Sequence, residues 1–296
     1  MTDSDPSLSF DGLATQTAFS GLNALSVDVE DYFQVWAFQN QIDRKDWDSY
    51  ECRIEANVER LLELFAAHEA RATFFWLGWA ARKLPQLARR VADAGHEIAS
   101  HGTNHQLVHH QSPEEFRADV HEAKQCLEDL CGTQVLGYRA PSFSIDARNL
   151  WAFEILADCG YRYSSSIYPI RHDHYGMPEA PRFAFRVGDT GITEFPVTTV
   201  QARNIRLPAG GGGYFRLLPY GLAAAAIRRV NSQDQQPSIF YMHPWEIDPG
   251  QPRIPGVSWK SRIRHYTNLG RVEGKLGRLL SDFRWASMGE VFAPCL

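Results

Sequence analysis

Three carboxylates stand at the end of an apolar segment in the stretch ALSVDVEDYFQVW: Asp28, Glu30 and Asp31. Clustered carboxylates repel one another unless a cationic group lies among them. Further along the chain, His101 and His105 are four residues apart, a spacing that lets both imidazoles reach one metal ion. Two histidines and one carboxylate would hold a divalent metal with open positions, and a second carboxylate nearby could act as a base toward water.

Short apolar segments that alternate with helical patterns would have to position these groups. Eight segments are predicted to be strands: 24–29, 72–78, 96–101, 135–141, 161–167, 192–198, 238–244 and 284–288. Most are separated by helical patterns, such as the one that begins at Pro113 after the N-cap Ser112. Alternating strands and helices imply a parallel sheet. The predicted fold class is therefore α/β, either a closed barrel or an open doubly wound sheet.

The polar residues fall at the ends of these strands. The first strand ends in the three carboxylates, the third in the histidine pair, the fourth in Arg139 and the seventh in His243. Singly, each has an ordinary structural explanation: a turn or cap for Asp28, a surface salt bridge for Arg139, a core histidine for His243. Reactive groups of a parallel barrel collect at the carboxyl ends of its strands, so the joint placement favours one site.

Composition narrows the possible partners and location. The formal net charge is -5, and the absence of a basic run argues against nucleic acid. No segment approaches the ~18 apolar residues of a membrane span. The polar, acidic start of the chain lacks the pattern of a signal peptide, so we predict a cytoplasmic protein with a flexible N-terminal tail over residues 1–22. The sequence gives no indication of the oligomeric state.

Four motifs, in order, carry a family resemblance: SVDVED, SHGTNH, RAPSF and YMHPWE. Together they resemble the polysaccharide deacetylase family, the NodB-homology carbohydrate esterases of family 4, over roughly residues 24–250. The D-x-E-D form of the first motif resembles the branch associated with exopolysaccharide loci, and the segment from about residue 251 is similar to the C-terminal extension of that branch. This resemblance implies a distorted (β/α) barrel with seven or eight mostly parallel strands, as a single domain over residues 23–296.

The resemblance also implies a role for each motif residue. Asp28 would be the general base, and His101 and His105 would bind the metal. Arg139 would orient the base, and His243 would be the general acid. The implied cofactor is one divalent metal, with zinc expected and cobalt, nickel or manganese as alternatives.

Two positions depart from the family pattern. Val29 stands where the metal-binding Asp is usual. Strand alternation returns Glu30 to the face of Asp28, so we favour Glu30 as the ligand and keep Asp31 as the alternative. Pro244 replaces the usual Asp after the last His, and Glu246 is then the candidate for orienting His243.

The predicted function is metal-dependent removal of N-acetyl groups from an amino-sugar polysaccharide, in exopolysaccharide biosynthesis. Residues next to the motifs that could shape the groove or stack on sugar rings are Pro141, Phe143, Tyr214 and Trp245, although core packing explains most such aromatic residues equally well. The glycine run at 210–213 would border this groove. Two alternatives are hydrolysis of a small cyclic or linear amide and a catalytically silent carbohydrate-binding barrel.

Overall fold

A computed structural model describes residues 9–172 and 175–296 of the chain. Within these residues the strands β1 to β12 span Phe10–Gly12, Asn23–Val29, Thr73–Trp76, Glu97–Ser100, Gly137–Tyr138, Tyr163–Ser164, Phe185–Val187, Thr193–Glu194, Thr199–Ala202, Ile205–Pro208, Ile239–Met242 and Trp285–Ala286. The helices α1 to α10 span Ile54–Ala67, Gly78–Lys83, Pro85–Asp93, Pro113–Cys131, Ala152–Asp158, Gly212–Leu217, Tyr220–Arg229, Trp259–Tyr266, Leu269–Asp282 and Met288–Val291.

One mostly parallel sheet forms the centre of the fold. Its strand order is β1-β7-β8-β6-β5-β4-β3-β2-β11, and β12 pairs with the start of β2. The eight strands predicted from the sequence are β2, β3, β4, β5, β6, β8, β11 and β12, and all pair in parallel. Strands β1 and β7 add an antiparallel edge. The predicted α/β barrel architecture with seven or eight mostly parallel strands is confirmed.

Alternate side chains of strand β2 face opposite sides of the sheet. All seven of its residues are buried, as expected for a central parallel strand covered on both faces. Leu25, Val27 and Val29 belong to the main hydrophobic core. The alternate residues Ser26 and Asp28 point the other way, where both contact Arg139. The apolar alternation therefore directs Asp28 into the interior of the barrel.

Helix α4 begins and ends where the sequence indicates. In α4, the Ser112 side chain accepts from the backbone N–H of Glu115, and the Glu115 side chain accepts from the N–H of Ser112. Gly132 ends the helix in the left-handed region at φ 65°. This capping box and glycine stop fix the ends of the helix that anchors the histidine loop.

The start of the chain is not a loose tail as far as residue 22. Residues 10–12 form β1, which pairs with β7. Leu13 and Thr17 are buried, and the Thr17 hydroxyl donates to the Gln236 side chain at 2.6 Å. Because strand pairing, burial and hydrogen bonds hold this segment, the predicted flexible tail is wrong for residues 10–19. Residues 1–8 of that prediction lie outside the described residues.

The segment after residue 250 packs onto the turn that follows β11. His265 of α8 is buried and contacts the ring of Phe38, with a centroid distance of 4.6 Å. The indole of Trp245 lies on the other side of the same imidazole. Whether residues 23–296 form one domain stays a prediction. No helix within the described ranges has the length and apolar character needed to cross a bilayer.

Candidate active site

Glu30, His101 and His105 form the cluster at the centre of the candidate site. All three are buried, and each offers a ligand atom within 4.8 Å of the others. The Nε2 atom of His105 lies 2.7 Å from Oε2 of Glu30. That carboxylate oxygen is nevertheless buried without a properly directed hydrogen bond. Such a set of converging donors suits a divalent cation.

The loop from His101 to His105 is held by Asp119 of α4. The backbone N–H and the hydroxyl of Thr103 bond to Asp119 of α4 at 3.1 and 2.9 Å. Gly102 has φ 74°, and a Cβ there would lie 2.6 Å from the Asp119 carboxylate. His105 itself adopts φ 51°, which is uncommon for a residue with a side chain. The tight loop, not a helix face, therefore brings the two imidazoles together.

The electrostatic surroundings suit His101 as a ligand. Burial lowers the pKa of His101 to about 4, which leaves the ring neutral. Its Nδ1 lies 2.7 Å from the carbonyl oxygen of Arg139, so Nε2 is the atom free to bind a cation. For Glu30, burial raises the pKa, but attraction to His105 and His243 outweighs it and lowers the pKa to about 2. The cluster thus combines a neutral imidazole with a charged carboxylate.

Asp31 does not belong to this cluster. Its carboxylate accepts the backbone N–H of Arg53 at 2.7 Å and that of Tyr32 at 2.9 Å. These bonds turn it toward the start of α1, so the alternative assignment of Asp31 as a metal ligand is wrong and Glu30 occupies the place next to the histidines. Burial raises the pKa of Asp31 to about 6. Its role is to anchor the chain that leaves β2.

Asp28 lies beside the cluster and is held by Arg139. The Nη1 atom of Arg139 donates to Asp28 Oδ1 at 2.7 Å and to the Ser26 hydroxyl at 2.8 Å. The guanidinium also lies over the ring of Phe75, 4.1 Å from its centroid. The other Asp28 oxygen is 3.9 Å from His243 Nε2. The predicted pairing of Arg139 with Asp28 is therefore present in the geometry.

His243 follows β11 and is oriented by Glu246. Its Nδ1 lies 2.7 Å from Glu246 Oε1, and the buried Glu246 also receives the Arg216 guanidinium at 2.8 Å. Its Nε2 lies 3.5 Å from Glu30 Oε1. Burial alone would lower the pKa of His243, but attraction to Glu30 and Glu246 raises it to about 9. The imidazole is therefore protonated at neutral pH and able to donate a proton.

Trp245 contacts both His243 and the candidate metal-site residue Glu30. Its indole stacks between His243 and His265, at centroid distances of 5.1 and 4.1 Å. Its Nε1 donates to Glu30 Oε1 at 3.2 Å. The residue was predicted to contact substrate, and it does line the cavity over the cluster. It also fixes Glu30, a contact that the sequence did not indicate.

Three neighbouring cavities meet at Trp36, and the central one contains the cluster. The central cavity, of about 200 Å³, is lined by Asp28, Glu30, both cluster histidines and His243. A first flanking cavity of about 440 Å³ extends along residues 33–47 and reaches His105. A second, of about 390 Å³, extends toward Leu107 and Arg264. Trp36 lines all three, so the cavities adjoin one another and extend the central cavity beyond the cluster.

Of the residues predicted to contact substrate, some line the central cavity and others do not. Phe143 lines the central cavity together with Ser142, and both adopt positive φ, at 52° and 54°. Pro141 is buried and starts the short turn that places them, but does not itself line the cavity. Tyr214 lines a separate apolar groove, so its assignment to the substrate site is wrong. Tyr214 is the third residue of α6, and the sequence pattern did not predict this helix or the side on which Tyr214 lies.

The glycine run does not line the central cavity but packs behind Tyr241, which does. The Tyr241 N–H donates to the Gly210 carbonyl at 2.7 Å, and a Cβ on Gly211 would lie 2.1 Å from the Tyr241 carbonyl. On Gly212 it would meet the phenol of Tyr241 at 2.4 Å. The glycines therefore allow close packing behind β11. Tyr241, which lines the central cavity, separates them from it.

The central cavity includes residues that the sequence did not indicate, among them three from α8 and one from β11. Ser261, Arg264 and His265 all lie on α8, inside the C-terminal segment. Only the similarity of that segment to a family extension could have drawn attention to them. Tyr241 precedes His243 by two positions on a strand, and the period-two alternation of strands could have placed it on the same face.

Two family models match the chain in succession. Residues 46–164 match the model described as Polysaccharide deacetylase, and residues 165–293 match one described as a domain of unknown function, DUF3473. The first match contains His101, His105 and Arg139, and the second contains His243. The site is therefore assembled from both matched segments and from β2, which precedes them.

Two deacetylases are among the curated proteins that the chain matches. The chain is 35% identical over 80 residues to a chitooligosaccharide deacetylase of Azorhizobium caulinodans, covering 27% of this chain and 38% of that protein. It is 30% identical over 103 residues to a peptidoglycan-N-acetylglucosamine deacetylase of Bacillus cereus, covering 35% and 46%. Each match thus spans less than half the length of the curated relative.

A solved structure supports the fold. The crystal structure of a polysaccharide deacetylase from Mycobacterium smegmatis aligns with a TM-score of 0.60 at 18% identity, covering 93% of this chain and 90% of that one. At this identity the likeness concerns the fold alone. The model match over residues 46–164 and the matching deacetylases place that part of the chain in the polysaccharide deacetylase (NodB-homology) family.

Proposed function

We propose that the protein is a metal-dependent hydrolase that removes N-acetyl groups from an amino-sugar polysaccharide. The observation that carries the proposal is the convergence of five side chains from the ends of three strands, β2, β4 and β11: Asp28, Glu30, His101, His105 and His243. A binding protein would need neither a base nor a protonated imidazole beside such a cluster. The complete set therefore argues against the silent carbohydrate-binding alternative.

The cluster fits a divalent cation. Glu30, His101 and His105 would hold it, because they are buried, close together and include a carboxylate oxygen without a directed hydrogen bond. When bound, such an ion acts as a Lewis acid on a carbonyl oxygen and makes water more acidic. Zinc is the metal we expect from two imidazoles and one carboxylate, with cobalt, nickel or manganese as alternatives.

The remaining residues supply proton transfer. Asp28, fixed by Arg139, accepts a proton from the water that attacks the acetyl carbonyl. His243, protonated and held by Glu246, donates its proton to the departing amine nitrogen. Phe143 and Trp245 give the cavity apolar walls on which a sugar ring can lie.

The arrangement of the cavities favours a polymer over a small amide. The central cavity shares Trp36 and His105 with the first flanking cavity, and Trp36 and Arg264 with the second. A small amide would fill only the central cavity. A chain of sugars would occupy both flanks as well, with the acetylated unit over the cluster. A role in exopolysaccharide synthesis and a cytoplasmic location remain predictions from the sequence.

Acetate release tests this proposal. The protein is incubated with N-acetylglucosamine oligomers of two to six units and with small cyclic and linear amides, before and after chelation and with zinc restored. We expect acetate from the oligomers, rising with their length, lost on chelation and regained with metal. Turnover of the small amides alone would favour the amidohydrolase alternative. Sugar binding without acetate release from any metal-loaded sample would favour the silent one.

The ligand set is tested by metal content. Glu30→Gln should lower the amount of metal retained after dialysis, because a neutral amide replaces a charged ligand. Asp31→Asn is the matched control and should retain metal as the wild type does. Loss of metal from Asp31→Asn with retention by Glu30→Gln would contradict the assignment.

A further inference from the structure

One stretch of the chain contains no acidic residue. The 39 residues from 195 to 233 lack Asp and Glu, although the whole chain has a net charge of -5. The same stretch contains five arginines: Arg203, Arg206, Arg216, Arg228 and Arg229. It begins after β8 and includes β9, β10, α6 and α7. An otherwise acidic protein therefore has one region of concentrated positive charge.

This stretch also forms an apolar groove of about 500 Å³. Leu207 of β10, Leu218 after α6 and Leu222 of α7 line it, and these side chains are 45%, 42% and 56% exposed. Of the fourteen residues that line the groove, only Tyr214 and Arg229 have polar side-chain atoms. An occupant would therefore find alkyl and aromatic surface but almost no side-chain hydrogen-bonding groups.

Helix α7 turns a matching face toward the groove. Leu222, Ala225, Ala226 and Arg229 all line it and recur at helical spacing. This face is alkyl for two turns and ends in a guanidinium. Ile205, 60% exposed, stands two residues before Leu207 on β10 and adds another aliphatic side chain on the same side of that strand.

Positive charge lies in the groove and near it in the chain: Arg229 lines the groove, and Arg203 is in the turn that joins β9 to β10. Arg228 pairs with Asp282 at 3.1 Å, whereas Arg203 and Arg229 are exposed and form no ion pair with any residue in the described ranges. Exposed leucines interspersed with unpaired arginines are characteristic of protein surfaces that lie in the headgroup region of a bilayer. The region therefore has both components of an interfacial binding site.

We propose that this face docks on an anionic lipid surface. Leu207, Leu218 and Leu222 would enter the boundary between headgroups and acyl chains, and Arg203 and Arg229 would contact lipid phosphates. Lipid fits better than a second copy of the chain, because an isologous contact would enclose the unpaired arginines of both copies, and the stretch has no Asp or Glu to pair with them. Lipid also supplies alkyl chains to a groove that offers few hydrogen-bonding side chains.

Docking would bring the catalytic cleft close to the lipid. In α6, Phe215 lines the groove and the next residue, Arg216, lines the central cavity. Groove and cleft are thus separated by the width of one helix. The inference does not depend on the reaction in the cleft, since none of the docking side chains contacts the metal cluster.

Vesicle co-sedimentation tests the proposal. The full chain is mixed with vesicles of phosphatidylcholine containing 30–40% phosphatidylglycerol, and with vesicles of phosphatidylcholine alone. We expect binding to the anionic vesicles, at least about 10-fold weaker binding to the neutral ones, and release in high salt. Leu218→Glu/Leu222→Glu and Arg203→Glu/Arg229→Glu should each weaken binding by about 10-fold or more. Failure of the wild type to bind anionic vesicles would overturn the proposal.

Matched controls separate this face from general electrostatics. Arg162→Glu/Arg186→Glu makes the same charge change at two exposed arginines outside the stretch and should bind within about 2-fold of the wild type. Melting temperature and acetate release from soluble oligomers should be unchanged in the leucine variant. Equal loss of binding in the control would overturn the proposal, because binding would then depend on the net charge of the protein and not on this face. Self-association abolished by the leucine variant, without vesicle binding, would instead make the face an interface between copies.

Discussion

The Arg139 guanidinium lies 2.7 Å from the Asp28 carboxylate, and both side chains are closed to solvent. Removing one partner of such a pair leaves a buried charge uncompensated, which typically costs about 3–5 kcal/mol. We therefore expect Arg139→Met to lower the free energy of unfolding by that amount. In the double variant with Asp28→Asn, the loss should be smaller than the sum of the single losses. Urea unfolding of the four proteins measures this, and additive losses would contradict a direct pairing.

Glu246 is expected to act through His243. Glu246→Gln keeps the shape but removes the charge that stabilises the imidazolium, so kcat for acetate release should fall roughly 10²-fold with little change in KM. Glu122→Gln changes an exposed carboxylate paired with Arg82 and serves as the control. A change confined to KM would assign Glu246 to substrate binding and contradict its role in orienting the imidazole.

Trp36 is expected to bind the polymer in the cavities that adjoin the central one. Trp36→Ala should raise KM for hexamers roughly 3- to 10-fold, by loss of a stacking surface, and should affect dimers less. Steady-state kinetics on oligomers of two, four and six units checks this. The same effect at every length would mean that Trp36 contacts only the reacting unit.

Glu194 should make stability depend on pH. Its Oε1 accepts the backbone N–H groups of Ser166 and Ile167, and burial raises its pKa from 4.5 to about 7. A carboxyl with a raised pKa in the folded state retains its proton on folding, so its contribution is complete below about pH 4.5 and is lost as the pH rises to about 7. Glu194→Gln should remove this slope. Relative to the wild type, the variant should gain about 2–3 kcal/mol in free energy of unfolding between pH 4.5 and 8.

Urea unfolding at pH 4.5, 6 and 8 measures the difference. The exposed Glu290→Gln, which loses only a contact with Arg71, provides the comparison and should follow the wild-type slope. A Glu194→Gln variant with the same pH slope as the wild type would mean that Glu194 is ionised in the folded protein throughout this range.

The parallel strands could be predicted because each is a short apolar segment bounded by a helix or by turn residues. The edge strands β1 and β7 and the hairpin β9–β10 could not. They are three or four residues long and only partly buried, so they lack an apolar run. Residues 10–12 are ordered by pairing with β7, more than 170 residues away, and no local pattern reports such a contact.

The site could be predicted where strand geometry decides it. The alternation along β2 favoured Glu30 over Asp31, and in the structure Glu30 lies next to the histidines whereas Asp31 is engaged by backbone N–H groups at the start of α1. Tyr214 was misplaced because it follows the glycine run in sequence, whereas the turn at Gly211 directs it into the apolar groove. The contribution of α8 depends on packing over a long sequence separation and was not accessible from motif spacing.

The most direct test of the account is acetate release by Asp28→Asn, measured together with its metal content. Asp28 lies beside the cluster without belonging to it, and its proposed role is to accept a proton from the attacking water. The account predicts wild-type metal content, folding at the assay temperature and a loss of acetate release of roughly 10²- to 10⁴-fold or more. A folded, metal-loaded Asp28→Asn protein that released acetate at the wild-type rate would contradict it.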